Sequence, residues 1–431
     1  MPPMWEPAVL ARRALEVWHN LRYLSEAQSI GGVNLGNGSE RKFGFDQAKL
    51  ARITGTMQGF IDRGETAGMN LLIARHGVTV YEECLGLADI EAGKPMTAGT
   101  IFRIHSMSKP ITMVAALILH ERGCFDLDDP ISKYILAFKG QSVLQSISGD
   151  HLVTVPAKRE VTIRHLLTMT SGIPYPGANT DIERVYQKAA DAVALAGEDL
   201  STGEVVGRIA SLPLAFEPGT QWLYGFSHDV IGRLVEVVSG KPFGRFLQEE
   251  IFDPLNMVDT GFAVPREKAD RFAAAYGPGD TGPLTLLDAP RTSRYLQPPS
   301  FLSGGGGLVA TIGDYARFAH MLLHGGEWNG ARILGRKTIQ LMAANHLATD
   351  LPGWDTAGGF SYGLGVRVML DPAKAGYGGS AGLFGWEGAA STWFCVDPAE
   401  DLIGILMTQF IPHGTHPFDL RFKTMLYAAL V

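Results

Sequence analysis

The sequence predicts an α+β fold: one antiparallel sheet, flanked by N- and C-terminal helices, with an α-helical domain inserted into it. Three observations predict this. Strand-like runs occur near both ends of a chain of 431 residues. Helical stretches and polar loops fill the interval between them. Amphipathic helices border each group of strands, and strands distant in sequence most simply join one sheet. The division that follows is residues 1–45 as a helical extension and linker, 46–128 with 300–431 as the α/β domain, and 129–299 as the inserted helical domain. A ligand cleft is expected between the last two.

Each element has its own signal. Ala8 to Leu24 show helical periodicity, and the Gly/Asn/Ser-rich run SIGGVNLGNGSERKFG follows as a linker. Asp46 is placed to cap a helix from Gln47 to about Asp62. Two β-rich runs flank Arg75-His76-Gly77 and read as a hairpin. Ser106 to about Arg122 reads as an apolar helix stopped by Gly123. From about Asp126 to Pro299 the pattern holds few strand signals. Its helical stretches are Ile163–Met169, Thr180–Ala196, Thr202–Ser211, His228–Ser239 and Gly244–Ile251. After Gly304–Gly307 a helix is expected from Ile312 to His324. The run STWFCVDPAEDLIGILMTQF reads as two strands about a turn, and an amphipathic helix closes the chain from Phe418 to about Leu430.

Composition excludes several classes. Lys+Arg total 37 and Asp+Glu 44, a net charge of −7, so no broad basic footprint for nucleic acid is present. No uninterrupted apolar run approaches the ~18 residues of a membrane span. The N-terminus lacks the charged start and apolar core of a secretory signal. Cys84, Cys124 and Cys395 are far apart, which disfavours a zinc site or a disulfide framework. A reducing, cytoplasmic setting fits best, and Cys124 and Cys395 read as core residues. His413-Gly414-Thr415-His416 lies between prolines and reads as a surface loop, not a metal pair. Glycine is in surplus, 52 of 431 residues.

Two motifs compete for a nucleophilic serine. Ser106-Met107-Ser108-Lys109 is an S-x-x-K; residues three apart share a helix face, so hydroxyl and ammonium can meet. A lysine serves as base only where burial disfavours its charged form, and Ile111, Met113, Val114, Leu117 and Ile118 supply an apolar setting. Ser39-Glu40-Arg41-Lys42 matches the same pattern, but in a polar segment with no helix behind it. The second motif, Gly378-Gly379-Ser380-Ala381-Gly382, satisfies G-x-S-x-G, with Asp397 or Asp401 and His413 or His416 following in triad order. Neither flank supplies the strand and helix that a nucleophile elbow needs. His105 adjoins the serine and is read as structural. The aromatic segment around Trp354, Phe360 and Tyr362 is read as core.

From about residue 46 onward the chain resembles the serine β-lactamases and penicillin-binding proteins, and most closely the family VIII carboxylesterases. FRIHSMSKPIT carries the S-x-x-K. LLTMTSGIPY ends at Tyr175. WLYGFSHDVIGRLVEVVSGKPF places Tyr224 in the family's tyrosine position. A glycine-rich SGGGGLVATIGDY segment follows. GWEGAAST places Trp386-Glu387-Gly388 where penicillin-recognising enzymes carry K-T-G.

The resemblance implies a β-lactamase-like fold and a serine hydrolase without metal or cofactor. In that reading Ser106 is the nucleophile, Lys109 the base and Tyr224 its partner. The backbone N–H groups of Ser106 and Ala389, on an edge strand, form the oxyanion hole. Tyr175, Phe226, Trp386 and Gly388 line the substrate site. Phe226 replaces the usual asparagine and Trp386 the usual lysine, two changes that favour an uncharged, short-chain ester over an anionic β-lactam. The partner is thus a small ester, with neither nucleic acid nor membrane involved. Acyl transfer, β-lactam or D-amino-acid amide cleavage, or a non-catalytic sensor remain the alternatives. A helix in the first 45 residues packing across a dimer interface would make a homo-oligomer.

Overall fold

The first and last strand groups of the chain meet in one sheet. The computed structural model describes residues 41–148, 151–197, 199–279, 284–354 and 358–431; the helix expected over 8–24 and most of the linker after it lie outside them. Eight strands build the sheet: β1 (Gly68–Arg75), β2 (Val78–Asp89), β3 (Lys94–Pro95), β4 (Phe360–Tyr362), β5 (Arg367–Met369), β6 (Phe384–Gly388), β7 (Thr392–Asp397) and β8 (Leu402–Thr408). Their order is β4-β5-β6-β7-β8-β1-β2-β3, and every pairing is antiparallel. The join falls between β8 and β1, where Leu406 lies opposite Leu71 and Ile405 opposite Leu72.

The seven longer helices are α1 (Gln47–Asp62), α2 (Ser108–Glu121), α3 (Asp181–Ala196), α4 (Thr202–Ala210), α5 (Ser227–Ser239), α6 (Ile312–Leu323) and α7 (Phe418–Ala428). Strand alternation decides which face each meets. Met69, Leu71, Ile73, Trp393, Cys395, Leu402 and Leu406 point to one side and are covered by α1 and α7 through Ile53, Met57, Phe60, Phe422 and Leu426. Leu72, Ala74, Phe394, Val396, Ile403 and Ile405 point to the other, into the main core with α2 and α6. That core continues without a break into α4 and α5, so α2 is packed between the sheet and the inserted helices. The Asp46 side chain caps α1, accepting from Lys49 N at 3.1 Å. Thr180 and Ser201 close reciprocal capping boxes with Glu183 and Glu204 at α3 and α4.

Most predicted elements agree to within one or two residues, as helix ends generally do. The stretch predicted as Gly244–Ile251 is a helix over Phe243–Leu247 that runs into a π turn. Three expectations fail. The middle segment holds two hairpins: Ser142–Ser148 with His151–Pro156, and Ala275–Pro278 with Leu284–Asp288. The first projects into solvent along His151–Pro156, so no buried face imposed an apolar alternation to be read. The second is short, and Gly277 and Pro278 within it masked it as a turn. Cys124 is exposed, not core, because it follows Gly123 in the turn that leaves α2. Finally, β6 is not an edge strand, since β5 and β4 lie outside it; these are three-residue strands, too short for a periodic signal.

Candidate active site

Ser106 stands on a 3-10 turn, His105–Met107, that feeds directly into α2. The single long helix expected from Ser106 is therefore two elements. The 3-10 turn improves the alignment, because residues three apart eclipse one another at three residues per turn. Lys109, in the first turn of α2, is fully buried. Its ammonium donates to Ser106 Oγ at 3.1 Å, to Tyr175 Oη at 3.1 Å and to the Gly305 carbonyl at 2.6 Å. An ammonium has three protons, and here each has an acceptor. Nζ also lies 4.5 Å from the centroid of the Tyr224 ring, a further favourable contact for a buried cation.

Tyr224 comes from the loop before α5 and donates to Ser106 Oγ at 2.7 Å. Tyr175 comes from the loop after the short helix Ile163–Leu167. The Tyr175 ring meets Tyr224 edge-on at 5.4 Å and Phe226 at 4.8 Å. Burial, then the charge of Asp229, holds the Tyr175 phenol well above its ordinary range. On the other side, Trp386 of β6 is tilted against Tyr224 at 5.9 Å and edge-on to Tyr362 at 5.3 Å. Its indole also carries the Arg367 guanidinium 5.2 Å from the ring centroid, and Arg367 is ion-paired to Glu387. The cation nearest Trp386 is thus already neutralised by its own carboxylate.

The end of β6 is pressed against the residue two before the serine. A Cβ on Gly388 would stand 2.5 Å from the Ile104 carbonyl oxygen and 2.3 Å from Thr392 Oγ1, so only glycine fits there. Ala389 follows in the turn to β7, exposed, with its carbonyl accepting from His413 N at 2.9 Å. The sheet and the approach to the serine turn therefore meet at Gly388 and Ile104.

Ser380 is elsewhere. It lies in a loop between the short helix Pro372–Ala375 and β6, with neither a strand before it nor a helix after it. Its N–H donates to Asp397 Oδ2, which also accepts from Tyr427 Oη at 2.9 Å. Asp397 fixes this loop and has no histidine partner among the described residues. His105 makes no hydrogen bond to Ser106; burial and the charge of Arg103 push its imidazole down to about 4. Tyr362, read as core, is fully buried and belongs to the aromatic group beside Tyr224.

Sequence reasoning missed three groups. Trp222 stacks on Tyr224 at 6.1 Å and meets Trp354 at 4.7 Å; its position two residues before Tyr224 was the available signal. The Gly305 carbonyl could not be seen, because any residue supplies one. Asp229, fully buried at the start of α5, carried no signal beyond an acidic residue amid apolar ones.

The fold is β-lactamase-like, and comparison with known proteins agrees. The family described as Beta-lactamase matches residues 53–423, and the chain belongs to that family. It is 34% identical over 363 residues to Protein Rv1367c of Mycobacterium tuberculosis, covering 81% of this chain and 88% of that one. It is 31% identical over 406 residues to Esterase EstB of Burkholderia gladioli, covering 90% of this chain and 97% of that one. Among solved structures it is similar to EstCE1, described as a hydrolase with promiscuous acyltransferase activity. There the TM-score is 0.73 and the identity 27%, over 88% of this chain and 99% of that one.

Proposed function

We propose that the protein is a carboxylesterase that cleaves small, uncharged esters through an acyl-enzyme on Ser106. The observation that carries the reading is the position of Ser106 Oγ between Lys109 Nζ at 3.1 Å and Tyr224 Oη at 2.7 Å. The likeness to Esterase EstB and to the hydrolase EstCE1 supports it. Both hydrogen bonds converge on the nucleophile, so its proton has a direct path to a basic group as attack begins. Once Lys109 is in its neutral form, it takes the Ser106 proton while Oγ attacks the ester carbonyl. The Tyr224 hydroxyl hands a proton to the departing alkoxide, and Lys109 returns one to Tyr224. Water then enters by the reverse path and frees the acid. The backbone N–H groups of Ser106 and Ala389 are the oxyanion donors of this reading, and each such donor contributes about 2.7–4 kcal/mol.

Substrate choice follows from the walls. Phe226 and Trp386 put aromatic surface where a carboxylate-bearing substrate would need a donor, and Arg367 is engaged by Glu387. An apolar acyl group fits and a free carboxylate does not. The test is a p-nitrophenyl ester panel from acetate to decanoate, alongside a cephalosporin. Turnover highest on the short esters and lost in Ser106→Ala but kept in Ser380→Ala is the expected result. Comparable cephalosporin turnover, or loss in Ser380→Ala alone, refutes it. Product formed with an added alcohol in place of water would extend the reading to acyl transfer, the side activity named for EstCE1.

A further inference from the structure

The Gly304–Gly307 segment is held from two sides. From α2, Thr112 Oγ1 donates to the Gly304 carbonyl at 2.7 Å and Ser108 Oγ accepts from Leu308 N at 3.1 Å. From α5, Asp229 Oδ1 accepts from Ser303 Oγ at 2.6 Å and from Gly305 N at 3.1 Å. The carbonyl of the same residue, Gly305, accepts from Lys109 Nζ at 2.6 Å. The two peptide units that flank the Gly305 Cα thus link buried Asp229 to buried Lys109. Asp229 Oδ2 has no hydrogen-bond partner, which is costly for a buried carboxylate unless a charge compensates it. The groups brought against Asp229 and Gly305 are Lys109 from α2 and Tyr175 from its loop. Burial holds the neighbouring His228 imidazole well below its usual range.

Resting on the esterase reading, we infer that Asp229 is a positioning residue for Lys109 and, through it, for Ser106. It fixes the Gly305 backbone whose carbonyl keeps Lys109 on Ser106. Asp229 thereby acts on the nucleophile without touching the reacting atoms. Burial raises the Asp229 carboxyl, and the bonds from Ser303 and Gly305 and the charge of Lys109 only partly oppose that rise.

Asp229→Ala frees the loop, and its kcat on a short p-nitrophenyl ester should fall about 100-fold with KM changed far less, the cost of misplacing the base. Asp229→Asn keeps an acceptor oxygen for Ser303 and Gly305 and should recover most of that loss while remaining slower than the wild type. The rate of Ser106 labelling by a fluorophosphonate should follow the same order, independent of turnover. A folded Asp229→Ala with wild-type kcat, or an Asp229→Asn that labels Ser106 about 100-fold more slowly than the wild type, overturns the inference, the second outcome serving even where Asp229→Ala does not fold. Failure of the underlying reading looks different: the wild type neither labels nor hydrolyses, or Ser106→Ala remains active.

Discussion

The Tyr224 hydroxyl donates to Ser106 Oγ at 2.7 Å across 118 positions of sequence. One loop and a 3-10 turn must be placed together for that contact, and the continuous core between α2 and α5 does so. If the phenol carries the proton between nucleophile and leaving group, Tyr224→Phe should lower kcat about 10²–10⁴-fold. The ring contacts with Trp222, Tyr175 and Trp386 survive in that variant, so KM and the melting temperature should change little. Steady-state kinetics and a thermal melt check both halves. An unchanged kcat removes Tyr224 from the mechanism.

Gly305 is crowded. A Cβ there would lie 2.7 Å from both Asp229 Oδ2 and Tyr175 Oη. Gly305→Ala must push one of them away or tilt the peptide that holds Lys109. We expect a stability loss of about 1–3 kcal/mol from overpacking and a larger proportional loss of kcat than of denaturation midpoint. Urea unfolding followed by assay of the same sample measures both.

The parts legible in the sequence are those with local or periodic signatures. The spacing of Ser106 and Lys109, the Tyr224 segment and the run around Trp386 are short motifs in a fixed order. The strands β1, β2, β7 and β8 are long β-rich runs, three of them buried on both faces, and flanking turns mark their ends. What escaped reading depends on tertiary placement. Asp229 is acidic and fully buried, against every expectation from composition, and its bonds from Ser303 and Gly305 explain it. The strands β4 and β5 are three residues each and take their conformation from the longer β6. The hairpin over 142–156 shows solvent one of its strands, so burial left no pattern in it.

Arg103 is almost fully buried just before the serine turn. It donates to Asp288 Oδ2 at 2.9 Å, to the Ala273 carbonyl at 2.6 Å and to Gln409 Oε1 at 3.1 Å, and lies 3.9 Å from the Phe272 centroid. It thereby ties Gln409, just past β8, and Ala273 and Asp288 to the approach to Ser106. Arg103→Met fills much of the space but removes the cation paired with Asp288 and leaves the Ala273 carbonyl without this donor, while Asp288 Oδ2 keeps Ser293 Oγ and Gln409 Oε1 keeps the residue-103 N–H. Breaking a buried pair this way costs about 3–5 kcal/mol; the partial exposure of Asp288 argues for the lower end. The urea midpoint should fall accordingly. A shift equivalent to less than about 1 kcal/mol would mean that the network is dispensable.

Three buried imidazoles make stability depend on pH. His105, His165 and His320 are each pushed down to about 4, with burial the largest cause. Unfolded, each takes up its proton near ~6.5. Between these values the unfolded chain binds more protons than the folded one, so lowering the pH favours unfolding. Their contribution is therefore fully present above about pH 6.5, declines as the pH falls, and is exhausted once the folded groups protonate near 4. His320 allows the cleanest test. It is remote from Ser106, and its ring is stacked on Trp328 at 4.0 Å and 7°, with Nδ1 unpartnered. Phenylalanine can keep the stack and cannot titrate. His320→Phe should match the wild type at pH 8 to within about 1 kcal/mol and lose less melting temperature between pH 6.5 and 4. Parallel melting curves across that window would show that another group, not His320, sets the acid sensitivity.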